Sequence, residues 1–107
     1  MNKNIEIAKK YYEGWENSDD KLLNLAPDLK FRSPEGNYSS ADEFLKACWQ
    51  FSGIQMLNKI FLADGDNVCV KYEIPVTEGD LIPCVEWLVF KDGMISEILV
   101  FYYKSDQ

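Results

Sequence analysis

The chain has no histidine. That removes the usual general base near neutral pH and the commonest metal ligand. A zinc site and a Ser-His or Cys-His dyad are thereby excluded. Cations are few: 11 Lys and Arg stand against 18 Asp and Glu, for a formal net charge of −7. A surface of that sign repels nucleic-acid phosphates and anionic membranes, so neither is expected as a partner. No apolar run approaches the ~18 residues of a transmembrane helix. Met1-Asn2-Lys3-Asn4-Ile5-Glu6 also lacks the apolar stretch of a secretory signal. Cysteine is sparse, with Cys48, Cys69 and Cys84 far apart and no CxxC spacing. Reduced thiols in the cytoplasm, packed as small hydrophobes, fit that pattern. Repeats, linkers and low-complexity tracts are missing too, which leaves one domain over residues 1–107.

Aromatic residues are abundant: six Phe, six Tyr and three Trp among 107 residues. Rings of this number fill a core or line a concave apolar site. Ile5, Ala8, Tyr12 and Trp15 recur at helical spacing over Lys3 to Asn17, with Tyr11 on the flank of the stripe. Asn17-Ser18-Asp19 ends this helix and caps a short second one carrying Leu22, Leu23 and Leu25, closed by Pro27. Leu29 to Arg32 alternates as a short strand, and Ser33-Pro34-Glu35-Gly36-Asn37 reads as a loop. Ser40 and Glu43 form a capping box for a helix running to about Phe51. Four apolar-rich segments follow, 54–63, 67–77, 81–91 and 94–104. They are broken by Asp64-Gly65-Asp66, Glu78-Gly79-Asp80 and Asp92-Gly93. Asp-Gly between alternating segments is a strong hairpin signal, so these predict an antiparallel meander.

Alternation separates the faces. Val68, Val70, Tyr72, Ile74 and Val76 share one side of their strand. In the last strand Ile98, Val100 and Tyr102 alternate with Leu99, Phe101 and Tyr103, so both faces are apolar; a partner subunit is the natural cover for the outer one. Within Cys84-Val85-Glu86-Trp87-Leu88-Val89-Phe90, Glu86 is the exception. A carboxylate there is costly unless paired, bonded or neutralised. It marks either a solvated edge or a polar group aimed into a pocket. In the second case Cys84, Leu88 and Phe90 point the same way, and Val85, Trp87 and Val89 face outward.

Three segments carry a resemblance. Tyr11-Tyr12-Glu13-Gly14-Trp15-Glu16-Asn17-Ser18-Asp19, Ala26-Pro27-Asp28-Leu29-Lys30-Phe31-Arg32-Ser33-Pro34 and Val85 through Ile98 resemble, in that order, the motifs of the SnoaL-like branch of the nuclear transport factor 2-like (cystatin-like α+β) superfamily. The resemblance implies an α+β fold: N-terminal helices packed on a strongly curved, mainly antiparallel sheet forming a cone with an internal cavity. It also implies a homodimer through the convex sheet face. By the same resemblance, Tyr11 matches a first-helix tyrosine that donates to an oxyanion, and Glu86 falls where ketosteroid isomerases have a protonated acid as second donor. Ser33 stands where those isomerases have their aspartate base, a departure that removes the proton acceptor. The related cyclases and dehydratases rely on histidine, which this chain lacks.

The expected site therefore has Glu86 and Tyr11 as its reactive or anchoring groups. Trp15, Phe31, Ser33, Trp49, Val70, Tyr72, Cys84, Leu88, Ile98, Val100 and Tyr102 are expected around them, with no metal and no cofactor. Each has a simpler alternative: the tryptophans and tyrosines as core, Ser33 as a turn residue. One carboxylate with two phenols suits a small hydrophobic ligand with a polar group. The alternatives are a cofactor-independent lyase, isomerase or cyclase using Glu86 for proton transfer, or a protein-interaction module with a filled interior.

Overall fold

The computed structural model describes residues 2–76 and 79–102. Its elements are α1 (Lys3–Asn17), β1 (Leu25–Ser33), β2 (Gly36–Tyr38), α2 (Ala41–Cys48), β3 (Leu57–Asp64), β4 (Asn67–Pro75), β5 (Leu81–Lys91) and β6 (Met94–Tyr102). Single 3-10 turns follow α1 at Asp20–Leu22 and α2 at Trp49–Phe51. The strands form one open sheet in the order β2-β1-β6-β5-β4-β3. All neighbours are antiparallel except β1 and β6. The helices cover one face, giving the α+β architecture expected from the sequence.

Local chemistry sets the helix ends. The Asn2 side chain accepts from the Asn4 N–H at the start of α1. Ser18 adopts a left-handed conformation at its end, and the Asp19 N–H returns to the Gly14 carbonyl at 2.8 Å. At α2 the Glu43 N–H donates to Ser40 Oγ, while the Glu43 carboxylate accepts from the Ser39 N–H rather than from Ser40. The hairpins follow their turn residues. Asp92 and Gly93 both have positive φ between paired Lys91 and Met94, as a type I′ turn requires. Gly65 alone has positive φ between Asp64 and Asn67, the II′ pattern.

Several boundaries differ from the expectation. The second helix is only the Asp20–Leu22 turn, and Leu25 already belongs to β1, so Pro27 lies inside a strand. The cause is long-range: Asn24 takes positive φ, the Ile95 N–H donates to the Asn24 carbonyl, and Leu25 pairs with Ile95. Pro27 is tolerated because the β1–β6 ladder is irregular between Leu25 and Lys30, where its missing N–H costs little. The presumed loop 33–37 holds the start of β2. Strand β3 begins at Leu57 rather than at 54, because Glu16 captures the Met56 N–H. Tyr103 lies outside the described residues, as do Thr77 and Glu78 of the second turn signal.

Register shifts in β1–β6, β3–β4 and β5–β6 bend the sheet around the helices. Ala8, Tyr11 and Tyr12 of α1 and Phe44 of α2 pack with Leu29, Val68, Val70, Leu88, Ile95 and Ile98 of the sheet in one core. Among the described residues, no helix is long and apolar enough to cross a membrane.

Candidate functional site

Glu86 points inward. It is 8% exposed, between Cys84 and Leu88 on the buried side of β5, while Val85 and Trp87 are exposed on the other. The register sets it between Val70 and Val100 on the flanking strands. Two hydroxyls hold it. Tyr12 Oη donates to Oε1 at 2.8 Å, reaching down from α1. Tyr72 Oη bonds Oε2 from β4, where it pairs with Cys84 and so sits diagonal to Glu86. Both carboxyl oxygens thus have a partner, which is what makes the charge tolerable here.

Burial raises the Glu86 pKa above its ordinary 4.5, and the bonds from Tyr72 and Tyr12 pull it partly back. Burial likewise lifts Tyr72, Tyr12 and Tyr11, each further raised by the nearby Glu86 charge. These phenols keep their protons at neutral pH. Cys84 is pushed up to about 11, by burial first and then by Glu86. Burial also raises Cys48. Neither thiol is a thiolate nucleophile under neutral conditions.

The sign of the Glu86 shift has a measurable consequence. Its folded-state pKa lies above the unfolded one, so the native state holds the proton more tightly. The stability this contributes is complete below the unfolded value and is lost as pH rises through the folded value. Glu86→Gln, which cannot ionise, provides the reference. Denaturation across a pH series should show wild type losing stability relative to Glu86→Gln as pH climbs from about 4. A constant difference between the two would contradict the raised pKa.

Tyr11, Tyr12, Trp15, Phe31, Phe44, Cys48, Phe51, Ile54, Met56, Tyr72, Ile74 and Glu86 surround a cavity of about 170 Å³. It lies between the two helices and the sheet. Its rings form a connected wall: Phe31 stacks on Phe44 at 4.3 Å, Trp15 lies 5.6 Å from Phe44, and Tyr11 meets Tyr12 edge-on at 4.9 Å. Phe51 and Ile54 are exposed and form its rim. Hydrogen bonds to Trp15 and Glu16 moor that rim to α1. The Gly53 N–H donates to the Trp15 carbonyl at 2.7 Å, and the Glu16 carboxylate takes the Met56 N–H and the Lys59 ammonium, each at 2.9 Å.

Of the residues expected in the site, Glu86, Tyr11, Trp15, Phe31 and Tyr72 are brought together around this cavity. The others lie elsewhere. Val70, Leu88 and Ile98 are fully buried core, and Val100 packs against that core. Cys84 is buried beside Glu86, its thiol near the Ile82 carbonyl. Trp49 packs on Trp15 with centroids 4.8 Å apart. Tyr102 bonds Glu35 at the β1–β2 turn. Ser33 Oγ donates to the Gly36 carbonyl and accepts from the Glu35 and Gly36 N–H groups, so that turn consumes it.

The sequence reading did not place Tyr12, Phe44, Cys48, Phe51, Ile54, Met56 and Ile74 in the site, and Tyr12 is the one of these that bonds Glu86. It belonged to the core stripe of α1, and adjacent Tyr11 took the functional role. The helix faces both rings inward, but it is Tyr12 that reaches the carboxyl. Among the described residues, no group of three or more His, Cys, Asp or Glu side chains is placed to hold a metal ion.

The fold has many solved counterparts. An NTF2-like protein of unknown function from Cytophaga hutchinsonii superposes with a TM-score of 0.79 at 14% identity, over 91% of this chain and 87% of that one. A proposed ketosteroid isomerase from Kribbella flavida gives 0.83 at 19% identity, over 95% and 78%. A proposed polyketide cyclase from Xanthomonas campestris pv. campestris gives 0.79 at 18% identity, over 92% and 89%. No protein-family model and no curated protein matches the sequence. The chain therefore has the nuclear transport factor 2-like cone fold, as the SnoaL-like resemblance implied.

Proposed function

We propose that this is a SnoaL-like ligand-binding domain that takes a small, largely hydrophobic molecule with a polar group into the cavity between α1, α2 and the sheet. The observation that carries this reading is Glu86, a carboxyl group fixed by Tyr12 and Tyr72 in a wall that is otherwise almost wholly rings and aliphatic side chains. Glu86 is the anchor and the rings provide the apolar contact. Proton-transfer chemistry is the weaker alternative. Among the described residues Glu86 has no second proton-transfer group beside it: the nearby thiols are protonated and the Ser33 hydroxyl is committed to a turn. The ketosteroid isomerase and polyketide cyclase labels of the structural counterparts remain theirs.

The test begins with protein purified from cells and mass spectrometry of what it releases. A recovered ligand should bind wild type and fail to bind Glu86→Leu that retains its near-ultraviolet circular dichroism. Equal affinity in the two proteins removes Glu86 as anchor.

We propose also that a second copy of the chain covers the convex sheet face. That face exposes Leu62 at 67%, Phe101 at 55% and Trp87 at 41%, and the register brings them into adjoining rows with Ile60 and Val85. Apolar area of this kind is rarely left bare on a monomer. Light scattering on wild type should give a dimer, and Leu62→Lys with Phe101→Lys a monomer that still folds. A monomeric wild type at micromolar concentration would refute this. Three free cysteines fit a cytoplasmic location.

A further inference from the structure

The solvent-facing side of the cavity belongs to one segment. Tyr11, Tyr12, Phe31, Phe44, Tyr72 and Glu86 form its buried walls, whereas Phe51 and Ile54 are exposed. Met56, half-buried, lines it two positions further on. A molecule coming from water to Glu86 therefore passes residues 52–58, a strap that leads from the turn after α2 into β3.

This strap has a hinge near each end. Gly53 has a φ of 95° and Asn58 a φ of 58°, a region open to glycine and tolerated by asparagine. Both hinges are tied to neighbouring elements. The Gly53 N–H donates to the Trp15 carbonyl, Ser18 Oγ bonds Ser52 Oγ, and Asn58 Nδ2 donates to Glu73 at 2.6 Å. Between them Ile54 and Gln55 are exposed, and the hold falls on the Met56 peptide.

One ion pair grips that peptide from both sides. Glu16 Oε2, from α1, accepts the Met56 N–H at 2.9 Å. Lys59 Nζ, from β3, donates to the Met56 carbonyl at 2.8 Å and to the same Glu16 oxygen at 2.9 Å. The β3–β4 ladder slips between Leu57 and Ile60, so regular sheet pairing does not secure this stretch. The Lys59 and Glu16 side chains are 25% and 15% exposed. That shields the pair more than an ordinary surface bridge, so it can hold the strap. Its remaining access to water lets solvent take over both charges when it parts, so it can also release.

We propose that residues 52–58 form a gate over the cavity, hinged at Gly53 and Asn58 and latched by Glu16 and Lys59, and that a ligand enters and leaves when the latch opens. This rests on the ligand-binding reading above and adds how access to that site is controlled. Glu16 and Lys59 are positioning residues: they set how often the site is open, not what it binds.

The probe is fluorobenzene, since a dry cavity near 150 Å³ accommodates benzene and this one has about 170 Å³. Exchange of the probe with the full-length protein is followed by fluorine NMR, and amide hydrogen exchange is measured on the same samples. In Glu16→Ala and in Lys59→Met the Met56 amide should exchange about tenfold faster relative to those of Val70 and Leu88. Association and dissociation of fluorobenzene should both quicken by about tenfold, leaving Kd within about twofold. The double variant should add little to either single one, because both act on one peptide. If fluorobenzene binds but its rates do not change, the gate is wrong while the ligand-binding reading stands. Faster dissociation alone, with a weakened Kd, makes the strap a fixed wall and also overturns the gate. If fluorobenzene does not bind wild type, the ligand-binding reading fails and the gate with it.

Discussion

Glu86→Leu should destabilise the domain by about 2–4 kcal/mol, and adding Tyr12→Phe and Tyr72→Phe should restore most of that loss. The single change removes the acceptor for two buried hydroxyls at once. Each orphaned hydroxyl costs about 1–3 kcal/mol. The gain from no longer burying a carboxyl group offsets part of it. Leu is close enough to Glu in size to limit any new cavity. Removing both hydroxyls then eliminates the unmatched donors and leaves an apolar cluster, an exchange that can be nearly neutral. A domain of this size has about 5–15 kcal/mol of stability in all, so the single variant should be visibly weakened. Urea denaturation of the wild type, the single variant and the triple variant measures this. A single variant as stable as wild type, or a triple variant no better than the single, would show that the carboxyl group is not held by the two phenols.

Gly14→Ala should also be strongly destabilising, by about 1–3 kcal/mol, although Ala is the better helix former. Gly14 lies near the end of α1, where intrinsic propensity favours Ala by about 1 kcal/mol. Space decides against it. A Cβ here would meet the Asp19 carbonyl oxygen at 2.7 Å, Leu23 Cδ2 at 2.9 Å and Leu22 Cβ at 3.2 Å. The first is backbone, so the turn after α1 must move. That turn carries the Asp19 N–H bond to Gly14 itself, so the end of the helix would loosen with it. Trp15 and the cavity wall lie one residue further on, and ligand affinity should fall along with stability. A Tm shift upward would indicate that the turn yields more readily than this packing implies.

Much of the architecture was legible because its signals are local. The Asp92-Gly93 hairpin follows from two residues that tolerate positive φ. That Glu86 shares a face with Cys84, Leu88 and Phe90 follows from strand alternation, and the fold turns that face inward. The α2 cap follows from Ser40 and Glu43. What failed was non-local. Leu22, Leu23 and Leu25 look helical in any short window, yet Leu25 is claimed by a parallel partner seventy positions away. Ser33 is a local case: of its two readings, pocket hydroxyl and turn residue, its bonds fit the second, since they close the two-residue Pro34-Glu35 turn.

By itself, then, the sequence determined that this is a histidine-free, acidic α+β domain with a carboxylate on the same strand face as Cys84, Leu88 and Phe90. Those properties depend on residue type and on the period of two, and both are written along the chain. Only the tertiary structure decided which phenols meet that carboxylate, and that Tyr12 rather than Tyr11 bonds it. Adjacent residues on a buried helix differ by about 100° in direction, and the side chain that reaches a given atom depends on how the helix is rotated against the sheet. That rotation is fixed by packing between elements far apart in the chain.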